Sequence, residues 1–337
     1  MTRPSTIGIT GAAGFIGSHL SERLLREGRA VIGVDDLSHG SMGNLAACLP
    51  SSDFRFHRMD CRDGRALRRT FAGCDAVIHL AAEKIPRYGG ALKTLEANVE
   101  GANAAYETAL SLDARVVVAS TSDVYGNAQP PFHEDDNLTI GPSTTRRWAY
   151  AVSKLYDEHV ALALLEERGL KVTILRLFGS YGPHNNPSWW GGPQAAFIEC
   201  VLDGRIMEIH GDGQQIRTFT YVADTVDGFV RAMDTPEAEG EILNIGASEP
   251  TTILRLAQQV QDAAGITGPL RAKFVPYEAI GGRYQDVRCR IPDTSKATRI
   301  LGLQARTRLD EGLPLTVAWH RSLREGAGTL PIVADAA

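Results

Sequence analysis

Short β-branched runs alternate with amphipathic stretches through the first half of the chain, and this alternation constrains the fold more than any other feature. The runs are Thr6–Thr10, Ala30–Asp35, Phe54–Met59, Ala76–Leu80, Arg115–Ser120 and Val172–Leu177, with segments such as Ser18–Arg26 and Asn98–Leu110 between them. Strands that read as nearly continuous apolar runs are buried on both faces, so helices must cover a parallel sheet from both sides. Right-handed crossovers then give a doubly wound α/β fold, with the ligand at the carboxyl ends of the strands. After about Gly179 the regularity ends. Gly, Pro, Trp and Asn crowd Gly179–Pro193, and short helices and strands follow, among them an alternating strand expected over Thr218–Val222. We expect residues 1–178 to form the sheet domain and 179–325 a smaller α/β substrate domain, with some chain exchange between them. Residues 326–337 read as a tail.

Composition narrows the class of function. A net charge of −5 gives no reason to expect a nucleic-acid partner, although local basic sites can hold a small phosphate ligand. Cys48, Cys61, Cys74, Cys200 and Cys289 are widely spaced without a C-x-x-C pair, which suits neither a disulfide framework nor a metal site. Met1–Ser5 does not read as a signal peptide, and no apolar run is long enough to cross a membrane. The expectation is a cytoplasmic protein with free thiols.

Gly11, Gly14 and Gly17 form G-x-x-G-x-x-G between the first strand and the first helix. In that setting the glycines permit a tight turn, close approach of backbone to a pyrophosphate and close helix–strand packing, with the helix N-terminus facing the anion. This is the dinucleotide-binding turn of a Rossmann sheet. Asp35 ends the second strand where an acid receives the adenosine ribose hydroxyls, and a carboxylate there repels a 2′-phosphate, so NAD is expected over NADP. Asp36 shares that role or is solvated. Asp60, after the third strand, either approaches the adenine or caps a helix.

Tyr150 and Lys154 lie one helical turn apart on one face of the helix that precedes the sixth strand. A tyrosine hydroxyl titrates too high for a base at neutral pH, but a nearby ammonium and a cationic nicotinamide favour the phenolate. Alone the spacing is common. The fifth strand, however, ends in Ser120-Thr121-Ser122-Asp123-Val124-Tyr125-Gly126, which puts hydroxyls at the sheet edge where a nicotinamide would lie.

Together these stretches resemble the extended short-chain dehydrogenase/reductases of the nucleotide-sugar epimerase/dehydratase family. Further matching text is His79-Leu80-Ala81-Ala82, Tyr181-Gly182-Pro183, Gly211-Asp212-Gly213, Arg217 and Tyr221-Val222-Ala223-Asp224. The resemblance implies Thr121 as the hydroxyl of the catalytic group with Tyr150 and Lys154, and Asn98 as the helix asparagine near the site and a cofactor contact. It implies Phe15, Ile16, Cys61, Leu80, Ala81 and Ala82 on the cofactor wall, with Lys84 as a phosphate contact. It also implies a nucleotide-sugar substrate, a UDP-sugar first, held at its diphosphate by Arg217 and Arg283 and at its ribose by Asp286. A homodimer through Glu96–Leu110 and Ala149–Glu167 is a family expectation, and Leu155, Val160, Leu162 and Leu165 suit either that bundle or internal packing.

In the resembled enzymes Tyr150 would remove the proton of a sugar hydroxyl at C4. Return of hydride to the other face is epimerisation, loss of a C6 carboxylate is decarboxylation, and loss of the C6 hydroxyl is 4,6-dehydration. Dehydratases of the family carry Asp-Glu where this chain has Ser122-Asp123. Uronate decarboxylases carry Thr-Ser-Glu there, and also resemble the chain at Arg147-Trp148-Ala149-Tyr150 and around Asp286, with Arg290 engaging the C6 carboxylate. Asp123 is one methylene shorter than that glutamate, and Gly179 replaces a substrate-contacting asparagine. On this reading 4-epimerase stands first, decarboxylase second and dehydratase third. A noncatalytic NAD-binding regulator is the alternative from another class, and retention of both Tyr150 and Lys154 argues against it.

Overall fold

A computed structural model describes residues 5–84, 90–280 and 286–326. The first six strands are β1 (Thr6–Thr10), β2 (Ala30–Asp35), β3 (Phe54–Arg58), β4 (Ala76–His79), β5 (Arg115–Thr121) and β6 (Val172–Leu177), each within a residue of its sequence expectation. Between them run α1 (Phe15–Arg26), α2 (Gly64–Thr70), α3 (Ala91–Leu112) and α4 (Trp148–Arg168). The chain then forms β7 (Ser180–Tyr181), α5 (Pro193–Leu202), β8 (Met207–His210), β9 (Ile216–Arg217), β10 (Thr220–Tyr221) and α6 (Val222–Asp234). It returns to the main sheet as β11 (Ile242–Ile245).

The main sheet is parallel throughout, in the order β11-β6-β5-β4-β1-β2-β3. Alternation along each strand sorts side chains between two cores. Val116 and Val118 join Ala102, Tyr106 and Ala161 of α3 and α4, whereas Val117 joins Leu20 and Leu24 of α1 and Phe229 of α6. Each fully buried valine of this kind contributes roughly 1.5–3 kcal/mol, so a register slip would be costly.

Residues 222–245 therefore belong with the sheet, although they follow residue 178: α6 packs beside α1 and β11 extends the sheet past β6. The remainder, with β12 (Thr251–Thr252), α7 (Ile253–Ala263), β13 (Ala272–Val275), α8 (Ser295–Leu301) and α9 (Leu309–Arg324), includes the lobe over the strand ends. The single strand expected over Thr218–Val222 is not formed. β9 pairs antiparallel with β12, β10 pairs parallel with β7, and Val222 already opens α6, whose first turn carries Asp224 at the helix N-terminus. Residues from 327 onward, most of the expected tail, lie outside the described residues. Among the described residues no helix is long and apolar enough to cross a membrane.

Candidate active site

A continuous cleft of about 860 Å³ runs from the β1–α1 turn, across the ends of β5 and β6, to the second lobe. Gly11, Gly14, Phe15, Ile16 and Gly17 line one end. A Cβ on Gly17 would lie 2.1 Å from the Gly11 carbonyl oxygen, so only glycine lets α1 begin this close to β1. The first N–H groups of α1 have no partner within the helix and suit a pyrophosphate there. Asp35 is buried, and its carboxylate accepts from Ala13 N (3.0 Å) and Leu37 N (2.8 Å), which locks it toward the cleft. Its neighbour Asp36 is exposed and accepts from Ser38 N.

The remaining cofactor-side residues divide. Cys61, Leu80, Ala81, Ala82 and Lys84 line the cleft, and burial pushes the Cys61 thiol up to about 12. Asp60 lines it too, gripped by Arg62 Nε and Nη2, while the helix-capping role falls to Asp63, which accepts from Ala66 N. Asn98 is a correction. Its oxygen accepts from Glu83 N (2.7 Å), and its nitrogen donates to Glu83 O (3.1 Å) and Ser153 Oγ (2.9 Å). Fully buried and fully used, it pins the Leu80–Lys84 segment to α4 and is not on the cleft wall.

Thr121, Ser122, Asp123, Tyr150 and Lys154 meet at mid-cleft. A buried clamp sets their register: Glu158 of α4 accepts from Ser120 Oγ (2.5 Å) and from Arg176 Nε and Nη2 (3.0 and 2.7 Å), tying α4 to the ends of β5 and β6. The Thr121 hydroxyl accepts from Asp123 N (3.2 Å) and also hydrogen-bonds Tyr150. Contrary to expectation, the Tyr150 hydroxyl is not made more acidic by the protein alone. Burial, with Asp123 and Asp157 adding to it, pushes it well above its ordinary value against the pull of the Thr121 bond. Lys154 is instead paired with Asp157 at 3.2 Å.

At the opposite end three guanidinium groups face two carboxylates. Asp123 Oδ1 accepts from Arg147 Nη2 (3.1 Å) and Arg290 Nη1 (2.5 Å), and Asp286 Oδ1 accepts from Arg147 Nη1 (3.1 Å) and Arg217 Nη2 (2.8 Å). Burial pushes the Asp123 carboxyl up, but Arg290, Arg147 and Arg217 together hold it below its ordinary value. Arg283 lies outside the described residues. Gly179 lines the cleft with φ +49°, and a Cβ there would sit 2.2 Å from Thr218 O, so the backbone itself excludes a larger residue. Arg147 was the residue to be found here: three positions before Tyr150, it falls on the same helical side.

The Pro183–Pro193 loop closes the cleft from above. His184 meets Ser18 Oγ through Nδ1 (2.9 Å) and packs on His19, tying the loop to α1 and serving no catalytic geometry. Trp189 stacks on His210 at 4.3 Å, whereas Trp190 lies 4.5 Å from His39, which contacts Glu83.

A family model described as the NAD dependent epimerase/dehydratase family matches residues 7–246. The chain belongs to that family. It is 33% identical over 331 residues to the UDP-N-acetyl-alpha-D-glucosaminuronate decarboxylase of Bacillus cytotoxicus, covering 94% of this chain and 97% of the relative. It is 30% identical to the UDP-glucuronate 4-epimerase of Thermodesulfobacterium geofontis, covering 93% of this chain and 95% of that one. Among solved structures, the dTDP-glucose 4,6-dehydratase DesIV of Streptomyces venezuelae, crystallised with NAD, superimposes with a TM-score of 0.85 at 30% identity, over 95% of this chain and 98% of DesIV. The protein is thus an NAD-dependent enzyme of nucleotide-sugar chemistry. The Gly17 contact, the α1 N-terminus and the oriented Asp35 fit that cofactor.

Proposed function

We propose that the enzyme acts on a nucleotide-linked uronic acid, a UDP-sugar first, oxidising C4 and releasing the C6 carboxylate as carbon dioxide. The observation that carries this reading is the pair Arg147 and Arg290, both held on Asp123 beside Thr121 and Tyr150. Two guanidinium groups at the reacting end, in addition to Arg217 farther along, suit a substrate with a carboxylate as well as a diphosphate. This moves decarboxylation ahead of the 4-epimerisation placed first on sequence alone.

In this mechanism NAD, when bound, supplies the hydride acceptor at C4. Tyr150 takes the C4 hydroxyl proton, and the Thr121 hydroxyl hydrogen-bonds that oxygen as it becomes a carbonyl. Arg147 and Arg290 orient the C6 carboxylate, now β to the ketone, so that its C5–C6 bond can break: carbon dioxide leaves, the bonding pair passes into the C4 carbonyl as an enolate, C5 takes up a proton, and return of hydride to C4 would close the cycle. The Arg217 guanidinium and the Asp286 carboxylate hold the nucleotide. The second lobe then acts as the substrate domain, over a sheet domain that binds NAD. A uronate 4-epimerase is the second reading, because the same arginines bind a uronate whose C6 is retained. Dehydration is disfavoured: Asp123, locked between two arginines and held ionised, is a poor acid for a departing hydroxide.

The test is incubation with UDP-glucuronate, UDP-N-acetylglucosaminuronate and UDP-glucose, followed by carbon dioxide release and product mass. Release from a uronate, slowed about a hundredfold in Arg290→Ala with NAD still bound, is expected. A product that keeps C6 with C4 inverted would instead establish the epimerase. A homodimer is part of the proposal, through α3 and α4, where Leu92, Val152 and Tyr156 are exposed while Leu155, Val160, Leu162 and Leu165 pack inward. A cytoplasmic setting is supported by five free thiols.

A further inference from the structure

One turn past Lys154, on the same face of α4 as Tyr150, lies a buried carboxylate that the proposed reaction does not itself use. Asp157 Oδ2 accepts a hydrogen bond from Lys154 Nζ at 3.2 Å, and each side chain is only 2% exposed. Its other oxygen, Oδ1, is buried without a hydrogen-bond partner. A carboxylate in such a place needs a cation.

The surroundings identify that cation. On α4, Glu158 is committed to Arg176 and Ser120, and Tyr150 is neutral. From α3, the Tyr106 hydroxyl donates to the Asp157 backbone carbonyl at 3.1 Å. From β4 comes His79, held at Nδ1 by Thr10. Burial, with Lys154 adding to it, lowers His79 to about 3, so its ring is uncharged at working pH. Lys154 therefore answers Asp157. Of the three donors on its ammonium, one is fixed by Asp157 and two remain for the cleft.

We propose that Asp157 is a positioning residue for the reaction: as the counter-ion of Lys154 it fixes the direction of the ammonium and limits how strongly that charge acts on the Tyr150 hydroxyl. A carboxylate beside the ammonium turns a lone charge into a short dipole, whose influence falls off faster with distance. Burial pushes the Asp157 carboxyl up to about 6 against the pull of Lys154, whose ammonium at 3.2 Å favours its charged form. Loss of its negative charge favours the Tyr150 phenolate, which lowers the pH at which Tyr150 ionises.

The inference rests on Tyr150 as the base, and the experiment separates the two. Ultraviolet difference titration of the NAD-loaded enzyme, wild type minus Tyr150→Phe, reads the Tyr150 hydroxyl without turnover. The acid limb of kcat/KM reads it in catalysis. Asp157→Asn is isosteric, with Asp157→Ser as a second uncharged variant, and bound NAD and melting temperature are checked first. Either variant is expected to shift both readouts down by about half a unit to one unit, and Asp157→Glu to leave them in place. Curves of the uncharged variants that superimpose on wild type, with only the melting temperature changed, overturn the proposal. So does an equal shift in Asp157→Glu, because charge is then not the cause. Full turnover by Tyr150→Phe would sink the base reading itself, whatever the Asp157 variants do.

Discussion

The two ends of the cleft offer an anion opposite kinds of donor. The cofactor end offers backbone: a helix N-terminus brought close by Gly17 would face a pyrophosphate, while Asp35, aimed by backbone N–H groups, would take ribose hydroxyls. The other end, proposed to take the substrate, offers side chains from distant parts of the chain, Arg147, Arg217 and Arg290, held in place by Asp123 and Asp286. Backbone recognition is rigid and indifferent to what the nucleotide carries beyond its phosphates. Side-chain recognition through mutually bonded charges is selective, because a ligand must replace the carboxylates that already occupy the guanidinium groups.

That contrast can be broken in several places. The largest effect is expected where the ends meet: Tyr150→Phe should lower hydride transfer by about a thousandfold, read as single-turnover formation of reduced cofactor, with NAD binding unchanged. Arg290→Ala should follow, with about a hundredfold loss of kcat/KM on a uronate, partly because Asp123 loses a partner, and a much smaller loss on a neutral hexose. Equal losses on both would mean that the arginine supports the fold and not the carboxylate. At the opposite end, Gly17→Ala should weaken NAD binding roughly 10–100-fold, measured by equilibrium titration, since the new Cβ meets an unyielding carbonyl. If substrate binding fell as far as NAD binding in that variant, the two ends would not be separable.

The smallest effect concerns the seam between the lobes. His19 is buried against Pro183 and His184, and burial, then His184, lowers it from 6.5 to about 3. In the unfolded chain His19 binds a proton below pH 6.5, but in the folded protein only near 3. Stability should therefore fall as pH drops below 6.5, by about 1–2 kcal/mol at pH 5. Melting temperatures of wild type and His19→Gln at pH 7 and pH 5 check this, and the variant should lose less on acidification.

Much of the cofactor end was legible in the sequence because its elements are local. Gly11–Gly17 lies between one strand and its own helix, and Asp35 ends the next strand, so strand period and glycine spacing located both. The Tyr150–Lys154 pair was legible for the same reason. Asn98 misled, since its identity does not reveal that Glu83 backbone and Ser153 already use its amide. Arg147 and Asp157 sit at the same three-residue spacing from Tyr150 and Lys154 and could have been placed on the helix, but their partners could not.

What the sequence determined by itself was the sheet, the glycine turn and the placing of Tyr150 and Lys154 one turn apart on a helix, because these follow from hydrogen-bond periodicity and steric limits acting within a few residues. The tertiary structure decided which charges meet. Asp123 with Arg290, Asp286 with Arg217 and Glu158 with Arg176 are far apart along the chain and fall within hydrogen-bond distance only once β9, α4 and the segment around residue 290 are packed. Electrostatic pairing depends on distance and burial in space, and neither is written in sequence spacing.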